Sequence, residues 1–423
     1  MENLSRLYNR IHTLVIFSSV LEDKAVKKLL GLLEYLQKIN HPVRKVGMIT
    51  NAKDESTSDE QGLEFTTALR YYSELAGELY AKSEGNLSEH ILNLVLEDQN
   101  VYSKFVSQKK AILPSLEKCL AEELDILSEF SSLKSVIFKE KIGYDGYLLE
   151  YDVKSYDFHQ IYKKRIAQIH HRGFGIFAKY STFVIESDNI IPVQNPDNTK
   201  LFDLTGYSSQ RRQIIDNTKA LLGGKSAANM LMYGDAGTGK SATVKALASN
   251  FFEDGLRLIE LKKSQYSRIP KLMDSLGSNP LKFILFLDDL SFNKDDDDFS
   301  SLKAILEGSV SAKSDNIVIY ATSNRRHFVK ENFSDREGDE IHFSDTMEEI
   351  SSLSDRFGLT VTFSKPNKEE YIKIMLDMAE KIGIETPEEQ LVIKAEAFAI
   401  RRGGRSPRVA KHFVELFSSG VIN

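Results

Sequence analysis

The sequence predicts an α/β fold in which a parallel sheet flanked by helices follows a mostly helical N-terminal region and precedes a small helical domain. Five apolar runs, NMLMY, LRLIEL, KFILFL, NIVIYAT and LTVTF, alternate with helix-like segments, as parallel strands joined by crossover helices do. Helical spacing of apolar residues dominates the chain up to about Lys134. After Asn367 the alternation stops and three helical segments remain. These three observations define the predicted fold class.

The chain has 423 residues, more than one hydrophobic core usually supports, so several domains are expected. We predict a mostly helical domain over residues 1–191 that binds a partner. The segment PVQNPDN, Pro192 to Asn198, contains two prolines and two asparagines and is interpreted as a linker. The α/β domain is predicted over residues 199–365 and a helical lid over residues 366–423.

Composition argues against several classes of protein. A net charge of −6 gives no global reason to expect nucleic-acid binding. The single cysteine, Cys119, rules out an intramolecular disulfide, and we expect a buried, unreactive thiol. No apolar run approaches the roughly 20 residues of a membrane-spanning helix, and the N-terminal residues Leu4, Leu7 and Ile11 recur at helical spacing. We therefore predict a cytoplasmic protein with no membrane partner.

The segment GDAGTGKS, Gly234 to Ser241, matches the phosphate-binding loop pattern G-x-x-x-x-G-K-[ST] and lies between a predicted strand and a predicted helix. Its glycines allow backbone N–H groups to point at phosphate oxygens, and the following helix adds the positive end of its dipole. Lys240 is expected to neutralise phosphate charge and Ser241 to ligate Mg²⁺. The residues predicted to bind nucleotide here are Gly234, Asp235, Ala236, Gly237, Thr238, Gly239, Lys240, Ser241 and Ala242.

Two adjacent carboxylates end the apolar run FILFL. Asp288 is predicted to hold Mg²⁺, and Asp289 is predicted to orient or deprotonate the attacking water. An acidic turn that closes a strand would be the alternative. The phosphate loop upstream favours the catalytic interpretation, because that loop needs a metal-binding carboxylate from elsewhere in the chain.

Three later residues are candidates for contact with the terminal phosphate. Asn324 ends the strand NIVIYATSN, where its amide is placed to reach the attacking water or the γ-phosphate. Arg356 precedes a glycine and the strand LTVTF. Arg408 lies in the first turn of the helix SPRVAKHF, where an arginine faces the positive dipole end unless an anion is bound. Arg405 is the alternative, because one residue of error at the helix cap exchanges the two.

Together and in this order, the phosphate loop, the paired acids, the asparagine, the two arginines and the helical tail resemble the AAA+ ATPases from about Leu201 to Asn423. The segments DDLSF, YATSNRRH and LSDRFGLT are most similar to an uncharacterised bacterial ATP-binding family of the domain-of-unknown-function 815 type. The resemblance implies an αβα nucleotide-binding domain with a helical lid, and ATP and Mg²⁺ as cofactors. It also implies that the segment before the loop borders adenine, with Gly206 and Tyr207 nearest the base.

The resemblance further assigns roles. Asn324 corresponds to the sensor-one residue, Arg356 to the arginine finger and Arg408 to the sensor-two arginine. In AAA+ proteins the finger reaches the γ-phosphate held by the next subunit, so the resemblance implies a homo-oligomer. The rival finger candidates are Arg325, Arg326 and Arg336.

The second acid of the pair is more often glutamate in AAA+ ATPases, whereas this chain has Asp289. The shorter side chain withdraws its carboxylate by roughly 1.5 Å, a displacement that can cost about a hundredfold in rate. We therefore expect slow hydrolysis. On the sequence alone, Asp289→Glu is expected to retain or raise turnover.

The function we predict is slow ATP hydrolysis by an oligomer that remodels a protein or nucleoprotein partner, selected by the N-terminal domain. Two alternatives stay open: a nucleotide-gated switch or adaptor with little turnover, and a DNA-associated loader. Tyr266 is the candidate aromatic residue for a machine that threads a polypeptide, but no aromatic–glycine pair flanks it, so we rank threading below remodelling in general. The loader is suggested by paired aspartates like those of replication initiators and by a basic run, Lys163, Lys164, Arg165, His170, His171 and Arg172.

Overall fold

The computed structural model describes residues 2–38, 55–290, 302, 304–306, 315–324 and 355–422. Its contacts divide the chain into two compact units. The first comprises Met1–Ile169 with Phe174–Ala178, and the second comprises His170–Gly173 with Lys179–Asn423. Within the described ranges, no helix combines the length and apolar character that a membrane crossing requires.

The first unit is built from helices, as the spacing of its apolar residues predicts. Each helix buries one face in a shared core that contains Leu29, Tyr72, Leu127 and Phe130. A short 3-10 helix, Ser18–Glu22, follows the first of them. The helices are α1 (Glu2–Ile11), α2 (Lys24–Lys38), α3 (Glu55–Ser83), α4 (Leu87–Glu97), α5 (Val101–Ser107), α6 (Pro114–Ser131), α7 (Ser135–Ile142) and α8 (Phe158–Ala167).

A buried carboxylate fastens the segment after α1 to α6. Glu123 is 3% exposed and accepts hydrogen bonds of 2.7–3.1 Å from the backbone N–H groups of Val15, Ile16 and Phe17. These bonds offset the cost of burying a polar group. Cys119 is half-buried rather than buried, and its thiol donates to Glu123 at 3.1 Å. Burial and that carboxylate raise the pKa of Cys119 to about 11, so the thiol is unreactive at neutral pH, as expected.

The second unit contains a seven-stranded sheet. Its strands are β1 (Thr182–Glu186), β2 (Asn189–Pro192), β3 (Met230–Gly234), β4 (Leu256–Leu261), β5 (Lys282–Leu287), β6 (Ile317–Asn324) and β7 (Leu359–Phe363). They lie in the order β2-β1-β4-β5-β6-β3-β7, and all neighbours are parallel except the antiparallel pair β1 and β2. The five predicted apolar runs are β3 to β7, and the predicted fold class is confirmed.

The hairpin of β1 and β2 places the start of the α/β region earlier than we predicted. The first domain was expected to extend to residue 191, whereas residues 182–192 are strands of the sheet. Thr182 pairs with Leu258 and Val184 with Glu260, so β1 covers the edge of β4. That pairing satisfies the backbone N–H and C=O groups of β4 that would otherwise lack partners.

Helices cover the sheet, and its central strands are buried. The side chains of β5 are buried from Phe283 to Leu287, and those of β6 from Ile317 to Ser323, as expected for parallel strands covered on both faces. A core cluster joins strand residues such as Met232 and Phe286 to Leu247 of a neighbouring helix. Two short helices, α9 (Ile169–Arg172) and α10 (Ile176–Lys179), fall where the sequence passes from the first unit to the second. The second unit then contains α11 (Ser208–Leu222), α12 (Lys240–Asn250) and α13 (Ile269–Gly277).

Three helices follow the sheet: α14 (Lys368–Ile382), α15 (Glu388–Arg401) and α16 (Pro407–Ser418). Asn367 caps α14 in a reciprocal capping box with Glu370. The three helices share a hydrophobic core of their own that includes Tyr371, Phe398 and Phe413. Contacts group them with the sheet in one unit, so a separate lid over residues 366–423 stays a prediction.

Candidate functional site

The segment after β3 folds as a tight loop that leads into α12. Gly234 has φ +140°, and a Cβ atom there would lie 2.1 Å from the carbonyl oxygen of Phe363 on β7, so only glycine fits. Gly237 has φ +77°, and a Cβ there would lie 3.1 Å from Ser406 Oγ. The loop therefore takes its shape from close approach to both the sheet and the last helix. The order of strand, glycine loop and helix is the one that the phosphate-binding pattern predicts.

Lys240 begins α12 and turns its ammonium back over the loop. Its Nζ donates to the carbonyl oxygens of Gly234 (3.0 Å) and Asp235 (2.9 Å) and to Oδ1 of Asn324 (3.0 Å). Burial lowers the pKa of Lys240, and the nearby carboxylates of Asp235, Asp289 and Asp288 act against this change. A buried cation at a helix N-terminus is unfavourable on its own, and an anion bound there reverses that preference.

The first acid of the pair meets the loop serine. Asp288 Oδ1 accepts hydrogen bonds from Ser241 Oγ and from Thr322 Oγ1, both at 2.6 Å. The two residues predicted to ligate Mg²⁺ therefore lie side by side. A hydroxyl and a carboxylate are hard oxygen donors, which Mg²⁺ prefers, and one carboxylate with substrate phosphates is its usual protein environment. The donor set fits the predicted metal.

The second acid has an unusual backbone. Asp289 adopts φ +54°, a left-handed conformation that asparagine and aspartate tolerate better than most residues. Its N–H donates to Thr322 Oγ1 (3.0 Å), and its Oδ1 accepts from Asn324 Nδ2 (2.7 Å). Asn324, at the end of β6, thus bridges Lys240 and Asp289, in the position between loop and acids where the sequence placed it.

The start of α16 contacts the loop directly. Ser406 caps α16, its Oγ accepting from the N–H of Val409 (3.2 Å), and Pro407 takes the first helical position, as the sequence predicted. The backbone N–H of Arg408 donates to the carbonyl oxygen of Gly237 (3.1 Å). The alternative, Arg405, forms a two-point ion pair with a carboxylate of α15, at 3.0 and 2.6 Å. Arg408 is therefore the better placed of the two arginines.

These groups line one cavity of about 850 Å³, within the usual range for small-molecule sites. Its lining includes the phosphate loop, both acids, Asn324 and Arg408. Apolar side chains, among them Leu204, Met378 and Ile382, also line it, together with further polar groups. The cavity therefore combines anion-binding groups with apolar surface, which suits a nucleotide.

The segment Leu204–Gly206, called here the wall segment, contributes Leu204 and Thr205 to the cavity lining. Arg211 on α11 donates to all three of its carbonyl oxygens, at 2.7 Å to Leu204, 2.9 Å to Thr205 and 2.5 Å to Gly206. Arg211 is buried, and burial lowers its pKa to about 10. No sequence pattern indicates this role, because an arginine inside an amphipathic helix usually lies at the surface.

The two residues expected nearest the base are not part of the cavity lining. Leu204 and Thr205 line the cavity, whereas Gly206 and Tyr207 are outside that lining. Tyr207 donates its hydroxyl to the carbonyl oxygen of Ser364 (2.6 Å), and its ring packs on Phe363 with centroids 5.2 Å apart. These contacts anchor the wall segment to β7.

Arg356 lies just before β7, half-buried, and in the part of the chain that the structure describes it does not line this cavity. The rival finger candidates, Arg325, Arg326 and Arg336, lie outside the described residues. The threading candidate Tyr266 lies in a 3-10 helix, Lys263–Arg268, and is 2% exposed. A threaded polypeptide would have to touch this ring, which is buried.

The predicted basic run is divided between the two units. Lys163 and Lys164 are exposed on α8, while Arg165 donates to the carbonyl oxygen of Leu96 (3.1 Å). In the second unit Arg172 pairs with Glu253 at 2.5 Å. Two of the basic side chains, Arg165 and Arg172, therefore bind groups of the chain itself.

Comparisons with known proteins give one family match and several distant structural similarities. A family model described as "Protein of unknown function (DUF815)" matches residues 178–421. No curated protein matches the chain. Solved structures of RuvB variants from Thermotoga maritima are similar to 52% of this chain, with 14–15% identity and a TM-score of 0.35. The matched part covers 64% of the RuvB chain, less than two thirds of its length.

Proposed function

This chain belongs to the family described as "Protein of unknown function (DUF815)", and we propose that it is a Mg²⁺-dependent ATP hydrolase of the AAA+ type that works as an oligomer on a protein or nucleoprotein partner. The observation that carries the proposal is the convergence of Lys240, Ser241, the two acids, Asn324 and Arg408 on one cavity. A site that only held nucleotide would not need a second carboxylate and an amide beside the loop lysine.

The proposed reaction follows from these positions. The loop N–H groups and Lys240 bind the phosphates, and Arg408 neutralises charge from the helix side. Mg²⁺ held by Ser241 and Asp288 would supply further charge neutralisation on the phosphate oxygens. Asp289 accepts a proton from water as the water oxygen bonds to the γ-phosphorus and the bond to ADP breaks. Asn324 orients that water.

We further propose that Arg356 acts on nucleotide bound to a second copy. Its position before β7, outside the lining of its own chain's cavity, supports this, because a finger that acts in trans need not reach its own nucleotide. Such a residue can contribute about 10³–10⁵-fold in rate. The proposal therefore requires that turnover per chain rises with concentration until assembly is complete.

A mixing experiment tests hydrolysis and assembly together. Lys240→Ala removes phosphate binding but keeps the finger, and Arg356→Ala keeps phosphate binding but lacks the finger. Each variant alone should show little turnover, and an equimolar mixture should regain a measurable fraction of wild-type turnover. If the mixture stays as inactive as the separate variants while both bind wild-type chain, the trans role is refuted. If wild-type chain releases no phosphate from Mg²⁺–ATP, the hydrolase itself is refuted.

The nucleotide-gated switch with little turnover is the second candidate function. It is favoured by the hydrogen bond that Asn324 donates to Asp289, because this bond engages the proposed base. Pull-downs with Asp289→Asn and Lys240→Ala distinguish the two functions: a partner held only by Asp289→Asn indicates nucleotide gating. The DNA loader finds less support, since Arg165 and Arg172 of the basic run are engaged by groups of the chain itself. Binding of single- or double-stranded DNA at low salt, where phosphate contacts are strongest, would restore it.

A further inference from the structure

One hydroxyl on β6 contacts both acids of the site. Thr322 is 2% exposed and lines the cavity. Its Oγ1 donates to Asp288 Oδ1 (2.6 Å) and accepts from the backbone N–H of Asp289 (3.0 Å). Its carbonyl oxygen accepts from the N–H of Leu290 (2.7 Å). A single strand residue therefore holds three consecutive residues after β5.

The two hydroxyl contacts determine each other's direction. A threonine hydroxyl has one hydrogen to donate and lone pairs that accept. Because its hydrogen points to the carboxylate of Asp288, its lone pairs are free to accept from Asp289. The left-handed backbone of Asp289, at φ +54°, persists only when neighbouring groups hold it. The hydrogen bond from its N–H to Thr322 is one of those restraints.

We propose that Thr322 is a positioning residue that orients the metal-holding acid and the water-activating acid relative to each other. The inference rests on the proposed hydrolase function. It predicts two linked effects when the hydroxyl is lost. Asp288 loses a hydrogen-bond donor that restricts rotation of its carboxylate, so Mg²⁺ binds less well. Asp289 loses a restraint on its backbone, so proton transfer from the attacking water slows. Binding of ATP by the phosphate loop is untouched, because Thr322 has no contact with that loop among the hydrogen bonds above.

The adjacent residue supplies a matched control. Ser323 is fully buried and donates its Oγ to the carbonyl oxygen of Leu290 (2.8 Å). It therefore makes a buried hydroxyl contact with the same turn but touches neither carboxylate. Ser323→Ala reports what the loss of a buried hydroxyl does to stability. Thr322→Val keeps the shape of the side chain and removes the hydroxyl, and Thr322→Ser keeps the hydroxyl.

The experiment measures steady-state ATP hydrolysis by the full chain against both ATP and Mg²⁺, together with binding of a fluorescent ATP analogue. We expect Thr322→Val to lower kcat by about 10- to 100-fold and to raise the Mg²⁺ concentration needed for half-maximal turnover, with ATP affinity unchanged. Thr322→Ser should recover both properties. Ser323→Ala should match wild type in kcat and in Mg²⁺ dependence even if it unfolds more easily.

Two results would overturn this inference and leave the proposed hydrolase function standing. The first is wild-type kcat and Mg²⁺ dependence in Thr322→Val. The second is an equal loss of kcat in Ser323→Ala, which would mean that the effect is structural. If Thr322→Val does not fold, Thr322→Ala takes its place in the same comparison. Absence of turnover in the wild-type chain would overturn the proposed function and this inference together, and it is seen before any variant is compared.

Discussion

Asp289 allows charge and backbone conformation to be tested separately. Asp289→Asn removes the carboxylate charge, while asparagine tolerates the left-handed backbone at φ +54° and offers the same Oδ1 acceptor to Asn324. Asp289→Glu keeps the charge, but glutamate tolerates that backbone less well. Each substitution is thus the control for the other.

The magnitudes follow from the two roles. Loss of a general base costs about 10²- to 10⁴-fold in rate, so Asp289→Asn should bind ATP normally and turn over at that fraction of the wild-type rate. For glutamate, about 1–2 kcal/mol of left-handed strain lowers the population of the active conformation by roughly 5- to 30-fold. This backbone changes the expectation drawn from the sequence, which was that glutamate retains or raises turnover.

The assay is phosphate release under saturating Mg²⁺–ATP, with affinity for a fluorescent ATP analogue measured in parallel. Asp289→Asn at the wild-type rate would mean that the acid pair only binds metal. Asp289→Glu at or above the wild-type rate would mean that the left-handed backbone does not limit the choice of residue at this position.

Three further predictions concern the loop, the wall segment and acid stability. Gly237→Ala puts a Cβ 3.1 Å from Ser406 Oγ at φ +77° and lowers stability by about 1 kcal/mol or more. We expect a lower Tm and faster hydrogen exchange in α16. Unchanged exchange would contradict the contact between the loop and α16. Arg211→Met removes three hydrogen bonds to the wall segment and should weaken ATP binding about tenfold. If a titration shows that this variant binds ATP with wild-type affinity, the wall segment keeps its shape without Arg211. Burial raises the pKa of Asp23, but hydrogen bonds, the largest from His90, outweigh it and hold the pKa well below 3.8. The stabilising effect of the Asp23 carboxylate is therefore complete above about pH 4 and lost as pH falls further. As the pH is lowered below about 4, the urea midpoint of unfolding should fall less in Asp23→Asn than in wild type. Equal falls in the two proteins would refute this.

The sheet was predictable because parallel strands covered on both faces have continuous apolar runs, as in KFILFL. The phosphate loop was predictable because its pattern encodes backbone geometry locally. The hairpin of β1 and β2 was missed as part of the sheet, since its pairing partner, Leu258, lies far along the chain from Thr182. Local propensity contains no information about such a partner.

The polar contacts of the site were partly beyond the sequence. Thr322 and Arg211 act through hydrogen bonds to residues that the fold brings near, and neither belongs to a motif with a fixed spacing. Tyr266, a weak candidate on the sequence because no aromatic–glycine pair flanks it, is 2% exposed within its 3-10 helix. Burial of a single side chain depends on packing, which periodicity does not specify for short segments.

The amide of Asn324 also sets a distance. Its nitrogen carries two hydrogens, and Asp289 accepts one of them at 2.7 Å, which leaves the other for a group that enters the cavity. Two acceptors on one amide nitrogen lie about 5 Å apart, given ordinary hydrogen-bond lengths and trigonal geometry. One water molecule, bonded to the carboxylate on one side, fills that gap. Asn324 would therefore act as a spacer that keeps a phosphate oxygen and the base one water apart, a separation that neither a shorter nor a longer side chain would reproduce.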